Sequence, residues 1–261
     1  IYADGMVEHD GHVGQVLAKL KELGLDQNTI VMYSTDNGAE TFTWPDGGTT
    51  MFRGEKNTQW EGGYRVPAMI RWPGVIKPGT VINDIGAHED MLTTVLAAAG
   101  DKTVKDDLLK GRKVGDMTYK VHLDGYDLGP ALKGEAAWPR QSFIYWTDDG
   151  SVAALRYDDW KIGFLRQDAK GFSVWQEPFI PLRTPSITNL RMDPFERAQE
   201  ENAMGYTRWM VERMFAFAPA GAYVAQWLQS FREFPPRQKP GSFNLDRVME
   251  AVSKPQGGKG D

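Results

Sequence analysis

HDGHVGQVLAKLKELGLDQNTIVMYSTDNG, residues 9–38, is the stretch on which the fold turns. Within it and just before it, apolar Met6, Val13, Val16, Leu17 and Leu20 recur at spacings of three and four, with Lys19, Lys21 and Glu22 between them. That period predicts an amphipathic helix over residues 2–23, and Gly24 is placed to end it in the left-handed conformation that a side chain resists. After the turn LDQN, the run TIVMYST (Thr29 to Thr35) is apolar, β-branched and continuous rather than alternating. Such a run predicts an interior strand of a parallel sheet.

Outward from this unit, AMIRW (Ala68 to Trp72) lies between Pro67 and Pro73 and predicts a second strand. HEDMLTTVLAAAG then predicts a helix from about Asp90 to Ala99, closed by Gly100. Helix, strand, long loop, strand and helix is α/β wiring over residues 1–135: part of a mixed, mostly parallel sheet flanked by helices. Residues 136–200 differ in texture. SFIYWT, SVAALR and WKIGFL are joined by the polar turns DDG and YDD, which predicts a small antiparallel sheet before a Pro-rich irregular stretch. Residues 201–250 predict C-terminal helices, kinked or broken at Pro219, and 251–261 a disordered tail.

Composition bounds the function. The 261 residues hold 30 Lys plus Arg against 35 Asp plus Glu, a formal charge of −5, which argues against nucleic acid or an acidic membrane as partner. No apolar run reaches the ~18 residues of a membrane-spanning helix, so the chain is expected to be soluble. With no cysteine there is no disulfide, no thiolate metal site and no Cys nucleophile, and composition leaves the compartment open. The opening IYADGMVEHD has neither an initiator Met nor a signal-peptide pattern, so the gene product is expected to begin upstream.

Ligands of open α/β sheets bind beyond the carboxyl ends of strands, and the first strand delivers Asp36-Asn37-Gly38 there. A carboxylate, an amide oxygen and a tight glycine turn suit a hard cation such as Ca²⁺ or Mg²⁺, although Asp-Asn-Gly taken alone reads first as an ordinary turn. The glycine-rich loop from Gly38 to Arg65 is long enough to be functional. Lys56 in it can hold an anion as a mobile point charge; Arg53 and Arg65 are competing cations, and each can instead be a solvated charge or, for Arg65, a salt bridge with Glu61. Trp44, Arg53 and Trp60 are candidates to line a substrate cleft, with core packing as the alternative for the tryptophans. His9 and His12 are spaced three apart on the first helix, but no second pair completes a metal site, and no G-x-S-x-G elbow or phosphate loop occurs.

In order, HDGHVGQVLAKLKELGLDQNTIV, MYSTDNG, GEKNTQWEGGYRVPAMIRWPGVIKPG, HEDMLTTVLAAAG, DGYDLGPALKG, LRYDDWKIG and NLRMDPFER resemble the sulfatase (arylsulfatase-like) family of the alkaline-phosphatase-like superfamily. The resemblance is densest over residues 2–166. It implies that Asp36 and Asn37 are metal ligands, usually for Ca²⁺, and that Lys56 contacts the sulfate group. It further implies that residues 1–135 are the C-terminal part of the catalytic domain, with the acidic metal ligands and the formylglycine nucleophile upstream. The nearest thing to the Cys-or-Ser-x-Pro-x-Arg motif here is Ser253-Lys254-Pro255, with Gly257 where Arg should stand. The chain alone is therefore expected to be inactive, and to pair with the missing N-terminal part or self-associate. A sulfated aryl or carbohydrate substrate follows from the resemblance, which leans towards a periplasmic or secreted protein. Two alternatives stand beside it: a phosphonate or phosphate ester hydrolase of the same superfamily, and a non-catalytic binding module on the same scaffold.

Overall fold

A computed structural model describes residues 1–200 and 204–237. Helix α1 (Tyr2–Glu22) forms where the period placed it. Gly24 adopts φ 67°, its N–H bonds to Lys21 O at 3.0 Å and that of Leu25 to Leu20 O at 2.9 Å, the paired closure that left-handed glycine permits. The apolar stripe of α1 is left uncovered: none of its residues is buried, and Val16 is 58% exposed.

Strand β1 (Val31–Ser34) pairs with β2 (Ala68–Arg71), Val31 opposite Arg71 and Ser34 opposite Ala68, and the pairing is antiparallel. The expectation of an interior parallel strand is corrected here. Every strand pair among the described residues is antiparallel. Continuity of apolar residues reports what a strand tends to bury, not the direction of its neighbour, and Met32 and Met69 of this pair stay exposed. Between the two strands lies the one-turn helix α2 (Glu61–Tyr64). Helix α3 (His88–Ala98) begins two residues earlier than expected, because buried Asp90 accepts the Ala87 N–H at 3.0 Å and caps it. Arg140 grips the same carboxylate with Nε at 2.8 Å and Nη2 at 2.6 Å, tying α3 to the chain 50 residues on. Helix α4 (Val104–Lys110), the hairpin β3 (Arg112–Val114) and β4 (Met117–Tyr119), and the turn α5 (Gly129–Leu132) complete this part.

Strands β5 (Ser142–Trp146), β6 (Val152–Tyr157) and β7 (Trp160–Arg166) form the expected meander. A fourth strand, β8 (Ile180–Asn189), was not expected: the Pro-rich stretch after β7 is ordered along the sheet. Pro181 and Pro185 are tolerated because β8 lies at the edge, and its register against β7 shifts between Gly163 and Leu165. One face of this sheet packs Ile144, Leu155, Ile162 and Ile187 against α6 (Met204–Val211) and α7 (Phe217–Leu228). Pro219 sits in the first turn of α7, where no N–H is needed, so the helical region is broken just before it; α8 (Ser230–Glu233) ends it. The tail read as disordered lies outside the described residues. Architecture therefore agrees with mixed α/β followed by a small antiparallel sheet with C-terminal helices. The opposite face of the four-stranded sheet carries Tyr145 and Lys161 towards residues 59–64, and it is this face that positions the site.

Candidate active site

The site starts from a contact between glycines. Where β1 ends, the chain Asp36-Asn37-Gly38 turns against α2, and the Gly38 N–H donates to Gly63 O at 2.9 Å. A Cβ on Gly38 would stand 1.7 Å from Gly62 O, so backbone meets backbone with no room for a side chain. Gly62 is equally enclosed: its N–H donates to Arg53 O at 2.6 Å, and a Cβ there would stand 2.4 Å from Gly54 O. Thus α2 packs against both the strand end carrying Asp36 and Asn37 and the loop carrying Lys56, which also meet directly through the Lys56 N–H to Ala39 O at 3.4 Å.

Asp36, Asn37 and Lys56 all line one open cleft of about 1190 Å³. Asp36 is exposed; its Oδ1 accepts the Asn37 N–H at 3.1 Å, while Asn37 Nδ2 donates to Gly38 O at 2.8 Å and leaves the Oδ1 of Asn37 as an acceptor. Two oxygen donors at one strand end have the hard character that Ca²⁺ or Mg²⁺ takes, but they are a fraction of the six or more oxygens Ca²⁺ prefers. Among the described residues no group of three or more His, Asp or Glu gathers to complete such a shell. Lys56 Nζ lies 3.9 Å from Glu40 Oε1 and 5.6 Å from the Trp175 ring centroid, with its side chain 36% exposed. An ammonium so loosely paired retains donors for an incoming anion.

Around Lys56 the loop is fastened to distant chain. The buried Glu55 carboxylate accepts the Thr41 N–H at 2.9 Å and the Gly171 N–H at 2.8 Å, and Asn57 Nδ2 donates to Val174 O at 2.7 Å. These bonds bring the turn Gly171–Trp175 against the loop, and Trp175 to the wall of the cleft. His88, Asp148 and Arg156 line the same cleft, with His88 Nε2 3.0 Å from Ser34 Oγ. Sequence reasoning missed Trp175, Asp148 and Arg156 because each reaches the cleft only through the tertiary fold.

Behind α2 sits a buried ionic cluster. Lys161 spends its three donors on Gln59 O at 2.7 Å, Glu61 Oε1 at 3.1 Å and Glu196 Oε1 at 2.9 Å. Glu61 also accepts Tyr145 O–H at 2.6 Å and Arg65 Nε at 2.7 Å, and its own N–H donates to Glu196 Oε2 at 2.7 Å. Burial alone would raise the Glu61 pKa, but Lys161, the Tyr145 hydrogen bond, Arg65 and Arg156 outweigh it and hold the carboxyl at about 2. Glu196 is pushed the other way, chiefly by burial, with Glu61 adding repulsion against the pull of Lys161. Tyr145 is likewise raised by burial and by Glu61.

The remaining candidates fall elsewhere. Trp60 is buried at 5% exposure and donates Nε1–H to Gln167 O at 2.9 Å, as the core alternative had it. Arg53 stacks over that indole at 3.4 Å and donates Nη1–H to Glu196 O at 3.1 Å; burial lowers its pKa against the pull of Glu200, Glu196 and Asp168. Trp44 is 68% exposed, and neither it, Arg53 nor Trp60 lines the cleft that holds Lys56. Arg65 pairs with Glu61 in addition to lining that cleft. His9 contacts Tyr33 Oη at 3.2 Å, and His122 lies 3.2 Å from Asp124, so neither is part of the site.

Residues 1–101 match the family described as Sulfatase. The chain is 35% identical over 195 residues to the steryl-sulfatase of Mus musculus, covering 72% of this chain and 27% of that protein. It is 32% identical over 207 residues to arylsulfatase A of Homo sapiens, covering 75% of this chain and 38% of that one. The crystal structure of the PsFucS1 sulfatase from Pseudoalteromonas sp. superposes with TM-score 0.69 at 28% identity, covering 90% of this chain and 44% of that chain. A mixed α/β chain with these matches belongs to the sulfatase family of the alkaline-phosphatase-like superfamily. It spans less than half the length of the relatives it matches.

Proposed function

We propose that this chain contributes the metal edge and the sulfate clamp of an enzyme that hydrolyses sulfate monoesters of aryl or carbohydrate alcohols. What supports the reading above all is that Asp36, Asn37 and Lys56 line one cleft in a chain of this family. Asp36 and Asn37 would hold the edge of a Ca²⁺ or Mg²⁺ ion, which when bound supplies positive charge to sulfate oxygens. Lys56 approaches the same cleft with an ammonium that binds a sulfate oxygen and opposes the negative charge that grows as the ester bond breaks. Glu40, 3.9 Å away, pairs loosely with that ammonium until the anion arrives. His88 and Trp175 border the cleft and orient what enters, Trp175 through an indole face suited to a ring. The nucleophile, expected as formylglycine, is supplied from outside these residues, since the chain holds no cysteine and Ser253-Lys254-Pro255 is followed by Gly257 in place of the motif's Arg.

The test is sulfate release from an aryl sulfate by the intact gene product, co-expressed with a formylglycine-generating enzyme, beside the 261-residue chain alone. Hydrolysis by the first and none by the second is expected. An intact product that carries the nucleophile motif and still releases no sulfate from aryl or carbohydrate esters overturns the proposal.

A further inference from the structure

Glu61 has no part in the chemistry just described, yet it is among the most completely buried and bonded side chains of the molecule. We infer that Glu61 is a positioning residue: anchored on the β5–β8 sheet, it holds α2 against both the Asp36–Asn37 strand end and the Lys56 loop, and with the direct Lys56 N–H to Ala39 O bond at 3.4 Å it sets their spacing. Only the chemical role of those two groups rests on the sulfatase reading; the placement rests on hydrogen bonds.

Helix α2 is a single turn of four residues, too short to hold its own shape or place. Its first residue is fixed from the sheet side by Lys161 of β7 and Tyr145 of β5, and its N–H by Glu196 just beyond β8. Its next two residues are the glycines that touch the site: Gly62 N–H bonds to Arg53 O in the Lys56 loop, and Gly63 O receives Gly38 N–H from the strand end. Two glycines transmit the position of Glu61 in both directions through backbone alone. A displacement of Glu61 by an ångström moves both contacts, because neither has a side chain that can adapt. The small antiparallel sheet is thereby a buttress for the site and not an appendage.

The experiment uses the 261-residue chain, isotope-labelled for NMR, with Glu61→Gln and Tyr145→Phe. Gln keeps the shape but not the charge that Lys161 and Arg65 pair with; Phe removes one donor and leaves the ion pairs intact. Sodium sulfate is titrated against sodium chloride at matched ionic strength. In both variants the amide resonances of Asn37, Gly38 and Lys56 are expected to move, more in Glu61→Gln, with the half-saturating sulfate concentration at Lys56 rising about fivefold. Those of Thr94 and Leu128, bonded to each other at 2.9 Å on the α3 side, should stay in place. A residue that only stabilises the fold would lower the melting temperature without moving these folded-state readouts. Folded variants with unchanged Asn37, Gly38 and Lys56 resonances overturn the inference, and if Glu61→Gln fails to fold, Tyr145→Phe decides by the same criterion. A wild-type chain whose Lys56 ignores sulfate would count against the clamp, and the amide shifts would still decide the role of Glu61.

Discussion

Replacing Gly38 by alanine adds one methyl group at the closest backbone approach in the site. The new Cβ would lie 1.7 Å from Gly62 O and 2.7 Å from the Gly62 carbonyl carbon, both of them main-chain atoms that no rotamer change can clear. To reach ordinary contact, the strand end and α2 must part by more than an ångström. That parting breaks the 2.9 Å bond from Gly38 N–H to Gly63 O. Overpacking of this kind costs ~1–3 kcal/mol and the lost hydrogen bond about 1 kcal/mol, so a destabilisation of roughly 2–4 kcal/mol is expected. Urea unfolding followed by tryptophan fluorescence measures it, with Gly48→Ala as control, since a Cβ at Gly48 meets nothing within 4 Å. An unchanged slope with a lower midpoint for Gly38→Ala alone is the expected pattern. A loss below about 0.5 kcal/mol, the range of an ordinary surface substitution, would refute the view that α2 is wedged against the strand end.

Three further outcomes follow. Lys56→Ala in the intact gene product should lower kcat/KM for an aryl sulfate on the order of 10²–10³-fold, as removal of a preorganised electrostatic contact does; a loss under about threefold contradicts its assignment. Calorimetry of the 261-residue chain should find Ca²⁺ affinity weaker than about millimolar, because two oxygen donors are too few for that ion, and micromolar binding would mean that other groups complete the shell. Acid should remove what Glu61 contributes: its carboxyl sits at about 2 instead of 4.5, so the contribution is full above pH 4.5 and fades as pH falls towards 2. The stability gap between wild type and Glu61→Gln, on the order of 3 kcal/mol at neutral pH, should close over that window; a gap independent of pH would contradict the charge pairing.

Local rules made some of this legible in the chain itself. The α1 period and Gly24 mark a helix and its end, and the short strands with DDG and YDD turns mark the meander, because each depends on neighbours in sequence. The direction of β1's partner depends on a residue pairing across the loop from Gly38 to Arg65, and no local pattern encodes it. Strand β8 was hidden by its prolines, whose meaning changes at a sheet edge. Among the site residues, Asp36, Asn37 and Lys56 were readable as residue types suited to a cation and an anion, and the family resemblance gave them roles. Trp60 and Arg53 looked the same as substrate-facing residues until the fold turned them towards Gln167 and Glu196. Lys161 carried one usable signal: a charge within a largely apolar strand, WKIGFL, which a protein tolerates in a buried place only when the charge is paired.

That signal bears on how the two parts of the chain are joined. An apolar interface holds its parts together but tolerates sliding, since area is buried almost equally well at neighbouring registers. The contact of Gly38 with Gly62 and Gly63 has no side chains to interlock and a single backbone bond, from Gly38 N–H to Gly63 O, so it fixes its own register only weakly. Further directional bonds must do so. Lys161, with all three donors spent on Gln59, Glu61 and Glu196, supplies them where water cannot compete. A buried ion pair adds little net stability over apolar packing, but removing one partner leaves a charge stranded at a cost of about 3–5 kcal/mol. The cluster therefore penalises misplacement more than it rewards placement, which is the property a one-turn helix between a strand end and a lysine loop requires.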